Sequence, residues 1–316
     1  MKHQSMTAAV KDYLDTRRQL GFALVAPGTE LIRFARYADA KDHVGPLSLG
    51  LILGWAREHV KHTSAVTPAR RLEVIRPFAR YYRQFEPSSE VPPLGVLGRG
   101  HRRLAPHIYT NKEVAQLVQA AGRLEPEGGL RPLTYLTLFG LIAATGLRRS
   151  EALNLSFNDV NLTCATITVR LTKYRKSRTL PIHDSVVSAL ASYNQACDGL
   201  RCADPNFPFF ITPAGNALPA RTVEGVFRQL VTTIECQPRG DHPAPRIHDL
   251  RHTFAVRRLQ TWREQHQCID QALFWLCTYL GHAKISDTYW YLTGVPELMG
   301  SIGDRLEQFT VGGTES

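Results

Sequence analysis

No helix or strand can run through residues 86–107, EPSSEVPPLGVLGRGHRRLAPH, because its prolines lack backbone donors and its glycines favour turns. The chain has 316 residues, enough for two bodies with separate cores, and this stretch is where they are expected to divide. The expected division is a helical domain over 1–86, a basic linker over 87–107 and a second domain over 108–316. The second body opens on a defined signal, Thr110-x-x-Glu113 ahead of the apolar run VAQLVQAA, which is a capping box.

Charge follows the same division. Residues 1–106 hold 17 Lys+Arg against 9 Asp+Glu, whereas the remainder holds 21 against 19. A basic body joined to a nearly neutral one suits a polyanionic partner such as DNA. The candidate DNA-facing arginines are Arg70, Arg71, Arg76 and Arg80 on the helix PARRLEVIRPFARYYRQF, with Arg99, Arg102 and Arg103 in the linker. A merely solvated basic face is the alternative. No apolar run approaches the ~18 residues of a membrane span, and MKHQSMTAAVKDYLD lacks the apolar core of a secretory signal. The six cysteines form no CxxC pair, so a reduced, cytoplasmic protein without a structural metal is expected.

Apolar periodicity predicts helices over 6–20, 29–38, 47–60 and 67–85, punctuated by Gly21, Pro27-Gly28, Gly45-Pro46 and residues 63–68. Beyond the linker, Leu133–Thr145 is almost wholly apolar and therefore a buried helix, which Gly146 ends. TCATITVRL alternates like a strand and SRTLPI follows a polar turn, so 163–182 reads as a hairpin. Helices are expected again over 186–197, 222–235, 248–262 and 271–280. The fold class is mainly α with a small antiparallel β-sheet, an α+β second domain behind an all-helical first one.

Four motifs occur in order: TGLRRSE, holding Arg148 and Glu151; Lys173 in the turn TKYRKSR; HDLRHTFA, holding His248 and Arg251; and LGH, ending at His282, with Tyr291 nine residues later. Together they resemble the tyrosine recombinase, or phage integrase, family, closely over residues 107–300 and more weakly over the N-terminal part, which is similar to the family's core-binding domain. Trp290 stands where the family usually has an aliphatic residue.

The resemblance implies a site-specific recombinase whose tyrosine, Tyr291, attacks a DNA phosphate and forms a 3′-phosphotyrosine, with neither metal nor nucleotide cofactor. The chemistry explains the residue types. A phosphodiester gathers charge on its oxygens as it is attacked, and guanidiniums such as Arg148 and Arg251 can clamp those oxygens while staying cationic. A phenol titrates near ~10 and must lose its proton as it attacks, for which His248 is the expected acceptor or shuttle. The leaving 5′-oxygen needs a proton, and an ammonium at a hairpin tip can deliver one. Lys173 aligns with the family's hairpin lysine, with Arg175 and Lys176 as competing choices. His282 is expected on a non-bridging oxygen, and Glu151 as the group that orients Arg148.

The resemblance further implies two duplex recombination sites, four protomers, and an apolar-striped segment, residues 295–309, docked on a neighbouring protomer or else on its own domain. A prokaryotic, nucleoid-associated protein is expected. Three other readings stand beside it: a type IB topoisomerase, a DNA-binding relative without chemistry, and a zinc helix using His248 and His252 at i and i+4. The last is disfavoured by the arginine between them and by the lack of a third ligand at recognisable spacing.

Overall fold

The computed structural model describes residues 5–58, 66–100, 104–170, 177–200, 204, 206–234 and 236–291. Lys173, Arg175, Lys176, Arg102, Arg103 and residues 295–309 lie outside them. The chain forms two compact units, Met1–Arg103 and Leu104–Ser316.

The first unit packs α1 (Met6–Gln19), α2 (Val25–Asp39), α3 (Leu49–Arg57) and α4 (Thr67–Tyr82) around one core. Phe34 sits at its centre, edge-on to Trp55 and Phe78 at 5.2 and 6.4 Å between centroids. The α2 helix starts four residues before the expected position. Pro27 falls in its first turn, where no backbone donor is needed. Gly28 is buried against Leu14. At its far end, Asp39 accepts from the N–H groups of Met6 and Thr7 (2.7 and 3.1 Å), filling donors left open at the start of α1.

Two regions singled out in the sequence find partners in the structure. The stretch expected as a linker is built into the units on either side. Ser89 Oγ accepts from Leu47 N–H (3.0 Å), and Glu90 N–H donates to the Leu47 carbonyl (2.8 Å). At the other end, Ala105 exchanges hydrogen bonds with Asp241. The second region holds three of the arginines expected to face DNA. Arg76 donates to the Pro92 and Pro93 carbonyls (2.9 and 3.0 Å), and Arg70 donates to the Gly100 carbonyl (2.8 Å). Arg71 closes the end of α3, donating to the carbonyls of Trp55, Ala56 and Glu58 at 2.7–3.3 Å. Helix ends and proline-rich segments leave carbonyls without partners, and a guanidinium is the donor fork that reaches them. Arg80 and Arg99 are exposed.

The second unit is built on the apolar helix α6 (Leu130–Thr145), against which α5 (Asn111–Ala121), α8 (Asp184–Ala196) and α10 (Ile247–Glu264) pack. The capping box opens α5 as expected. Further helices are α7 (Arg149–Leu153), α9 (Ala220–Thr233), α11 (Ile269–Leu280) and the short α12 (Ser286–Tyr289). The expected hairpin gains a strand: β1 (Val160–Asn161), β2 (Thr166–Val169) and β3 (Arg178–Pro181) form one antiparallel sheet in that order. Ile167 pairs with Leu180 and Val169 with Arg178, so all four side chains share the face that holds the core residues Ile167, Val169 and Leu180. The fold is mainly α with a small antiparallel sheet. No described helix is long and apolar enough to cross a membrane.

Candidate active site

The site forms where three helix ends meet. Helix α6 stops at Gly146, whose backbone is left-handed (φ +64°), and a Cβ there would stand 2.5 Å from the Phe254 ring. Only glycine fits both the angle and the space, and the chain turns at once into Leu147 and Arg148. Arg148 caps α7: its backbone N–H donates to Glu151 Oε2 (3.0 Å) and its Nη1 to Oε1 (2.6 Å). About a third of its side chain (31%) stays exposed, against 13% for Arg178 and 1% for Arg251.

Helix α10 brings the next group. Arg251 is 1% exposed, with Nη1 donating to the Gly146 carbonyl (2.7 Å) and Nη2 to the Leu280 carbonyl (2.8 Å). Its Nη2 also donates to His282 Nε2 (2.9 Å), and Nη1 lies 3.8 Å from Glu151. Its buried Nε–H has no partner among the described residues. Burial lowers the Arg251 pKa to about 10, so the group remains cationic at neutral pH.

Those contacts fix the state of His282. A guanidinium has only donors, so Nε2 must be the unprotonated nitrogen, and Nδ1–H donates to Thr288 Oγ (2.8 Å). Burial and the Arg251 and Arg148 cations push its pKa down to about 4. The Tyr291 hydroxyl lies 3.5 Å from the same Nε2, and the two rings stack at 5.7 Å with 19° between planes. Tyr291 is 4% exposed, within an apolar cluster that includes Phe254, Leu276 and Leu280. Its neighbour Tyr289 is 44% exposed, so of the two tyrosines in TYWYL only Tyr291 enters the site.

His248, expected beside the nucleophile, opens to solvent at the start of α10, and another histidine stands between them. The His252 ring meets His248 edge-on (4.7 Å, 86°) and Tyr291 edge-on (5.2 Å, 61°). Partial desolvation and the cations of Arg251 and Arg246 lower His248, although its ring opens to solvent; burial and the nearby arginines push His252 down to about 3. Both rings are therefore neutral near pH 7.

Glu151 is the hub of the site. It binds Arg148 as expected, but it also receives a bidentate pair from Arg178: Nη1 to Oε1 (3.2 Å) and Nη2 to Oε2 (2.9 Å). The arginines hold its carboxyl at about 2, overcoming a burial effect of opposite sign. Sequence reasoning passed over Arg178 and weighed His252 only as a zinc ligand. Arg178 had a signal: in R-T-L-P it has the parity of Leu180, so a charge sits on the inward face of a strand.

One further cluster has the composition of a metal centre. His107, Glu113 and Cys236 offer ligand atoms within 4.8 Å of one another. However, His107 Nδ1 accepts from the Arg239 N–H (3.0 Å), so Nε2 carries the proton and points at Cys236 Sγ, 3.3 Å away. Glu113 is taken by Arg239 and by its capping role. Burial and Glu113 push the Cys236 thiol up to about 11, which leaves it protonated. That donor set is occupied with its own hydrogen bonds and does not suit a dication.

Residues 108–295 match the model of the phage integrase family. A putative integrase/recombinase of Sinorhizobium fredii (strain NBRC 101917 / NGR234) is 37% identical over 310 residues, covering 95% of this chain and 96% of the relative. Tyrosine recombinase XerC of Bacillus subtilis (strain 168) is 26% identical, covering 89% of this chain and 84% of the relative. Among solved structures, the Tn1549 transposon integrase in complex with circular intermediate DNA superposes with a TM-score of 0.66 at 18% identity, over 90% of this chain and 94% of that one. The XerH site-specific recombinase bound to palindromic difH substrate gives 0.65 at 16%, over 89% and 78%. At such identities the two structures establish the shared fold.

Proposed function

Since this chain belongs to the phage integrase family of tyrosine recombinases, enzymes that transfer DNA strands, we propose that Tyr291 is its nucleophile and that Arg148 and Arg251 hold the phosphate it attacks. The observation that carries this reading is the chain of contacts Glu151–Arg251–His282–Tyr291, which sets the phenol hydroxyl 3.5 Å from an unprotonated imidazole nitrogen beside a buried guanidinium. In the reaction the Tyr291 oxygen forms a bond to phosphorus, the bond to the 5′-oxygen breaks, and that oxygen leaves with a proton. A 5′-hydroxyl from another strand reverses the sequence, so no outside energy source enters.

The phenol proton is assigned to His282 Nε2, 3.5 Å away, which accepts it once its hydrogen bond from Arg251 Nη2 gives way, with His248 as the other candidate. His248, open to solvent at the α10 start, is proposed to serve the phosphate side. Arg148 is the accessible phosphate ligand, and the unpartnered Nε–H of Arg251 is a second donor. Lys173 is proposed as the acid for the leaving oxygen.

The N-terminal helical domain is proposed to grip duplex DNA through exposed residues such as Arg80 and Arg99, with Arg102 and Arg103 beyond it. Binding of recombination sites is further supported by the DNA in the complexes of similar fold. Assembly as a tetramer on two sites through residues 295–309, in the cytoplasm at the nucleoid, completes the proposal.

The test is covalent capture. The protein is incubated with sheared DNA of its host genome, denatured, and the DNA that stays attached is sequenced. Recovery of one sequence, lost with Tyr291→Phe and kept with Tyr289→Phe, supports the reading. Attachment that survives Tyr291→Phe overturns it.

A further inference from the structure

We propose that Arg178 is a positioning residue for strand transfer: by sharing Glu151 it limits Arg148 to one guanidinium hydrogen bond with that carboxylate and leaves its other nitrogens to hold the phosphate. This inference rests on the strand-transfer reading above.

Arg178 joins three parts of the site that are remote in sequence. Its place opposite Val169 in the sheet turns it inward, and its side chain is 13% exposed. Two of its nitrogens bind the two Glu151 oxygens, and Nε donates to the Tyr279 carbonyl (2.8 Å) at the end of α11. The guanidinium lies against Gly281, where a Cβ would come within 2.7 Å of Nη1. Gly281 is left-handed (φ +67°) and leads directly to His282. One side chain thus ties the strand β3 to the Arg148 turn and to the His282 corner.

The charges explain why such a group is needed. Among the described residues, Glu151 is the one carboxylate placed against Arg148, Arg178 and Arg251. With Arg178 in place, Oε1 and Oε2 are each shared between it and Arg148. Without Arg178, the carboxylate has only Arg148 within hydrogen-bond reach, and the pair would close into a bidentate ion pair that draws the guanidinium away from the phosphate. Arg178 also restores the positive charge that Glu151 cancels, so three cations and one anion face a dianionic transition state. Arg178 touches neither Tyr291 nor any proposed phosphate ligand other than through Glu151, which makes it a positioning group.

A lysine keeps the charge but cannot supply two parallel donors. The experiment uses the full chain and the DNA recovered by covalent capture with the unsubstituted protein. If that protein captures no DNA, the strand-transfer reading fails before any variant is compared. Given capture, Arg178→Lys and Arg178→Gln are assayed for single-turnover adduct formation, DNA affinity and melting temperature. Adduct formation is expected to slow by roughly 10- to 100-fold, the effect of misplacing a catalytic group, with DNA affinity changed by less than about twofold. Because Arg178 acts through Arg148, the double variant Arg148→Lys/Arg178→Lys is expected to be no slower than Arg148→Lys alone. Losses that multiply, a rate loss matched by lost affinity, or an unchanged rate would each overturn the proposal. So would failure of both single variants to fold, which would make Arg178 a folding residue only.

Discussion

Replacing Glu151 by glutamine tests the electrostatic core of the site without touching the nucleophile. The carboxylate is buried and takes hydrogen bonds from Arg148 and Arg178, with Arg251 3.8 Å away. Glutamine keeps one acceptor but presents an NH2 to guanidiniums that can only donate. The size of the effect follows from proton linkage. The carboxyl is lowered from 4.5 to about 2 in the folded protein. At ~1.4 kcal/mol per pH unit, that preference for the charged form is worth up to about 3 kcal/mol at pH 7. A folded-state pKa below the unfolded one gives stability that is fully present above pH 4.5 and is lost as pH falls toward 2. Urea unfolding followed by circular dichroism should therefore show Glu151→Gln less stable by up to about 3 kcal/mol at pH 7, with the gap closing as pH falls from 5 to 3. A variant within about 0.5 kcal/mol of the original at pH 7, or a gap that does not change with pH, would refute the assignment of Glu151 as a charged hub.

Two other substitutions probe the framework. Arg71→Ala leaves the carbonyls of Trp55, Ala56 and Glu58 without their donor, so it should lower stability by ~1–3 kcal/mol. The slope of DNA affinity against salt should stay the same; a slope reduced by about 1 would instead place Arg71 on a phosphate. Gly146→Ala forces a side chain into a left-handed turn and against Phe254, costing roughly 2–5 kcal/mol. Denaturant midpoints measure it, and a variant as stable as the original would show that the turn adapts freely.

Much of the site could be read along the chain because its pieces are local. Thr110-x-x-Glu113 cannot be other than a helix start, and the capping hydrogen bonds are both present. Gly146 after an apolar run marks a helix end wherever it occurs, and the left-handed backbone follows. The basic helix α4 was less legible. Arginines look alike in sequence whether they meet water, phosphate or a neighbouring carbonyl, and Arg70, Arg71 and Arg76 meet carbonyls. Pro27-Gly28 misled for a related reason, since a proline ends a helix from inside but is tolerated in its first turn.

The sequence by itself determined the order of elements, the helix caps, the inward and outward parity of the strands and the residue types that can handle a phosphodiester. Tertiary structure decided which donors meet which acceptors. Arg251 reaches the Gly146 carbonyl across 105 residues, and Arg178 reaches the Tyr279 carbonyl across 101. Such pairings depend on the sheet register and on how the ends of α6, α10 and α11 pack together, and no local pattern encodes them. The same packing placed His252 rather than His248 against Tyr291, and it gave Glu151 a second arginine. In a buried site, polar groups must find partners among whatever the packing brings near, so the hydrogen-bond network is fixed only once the helices have met.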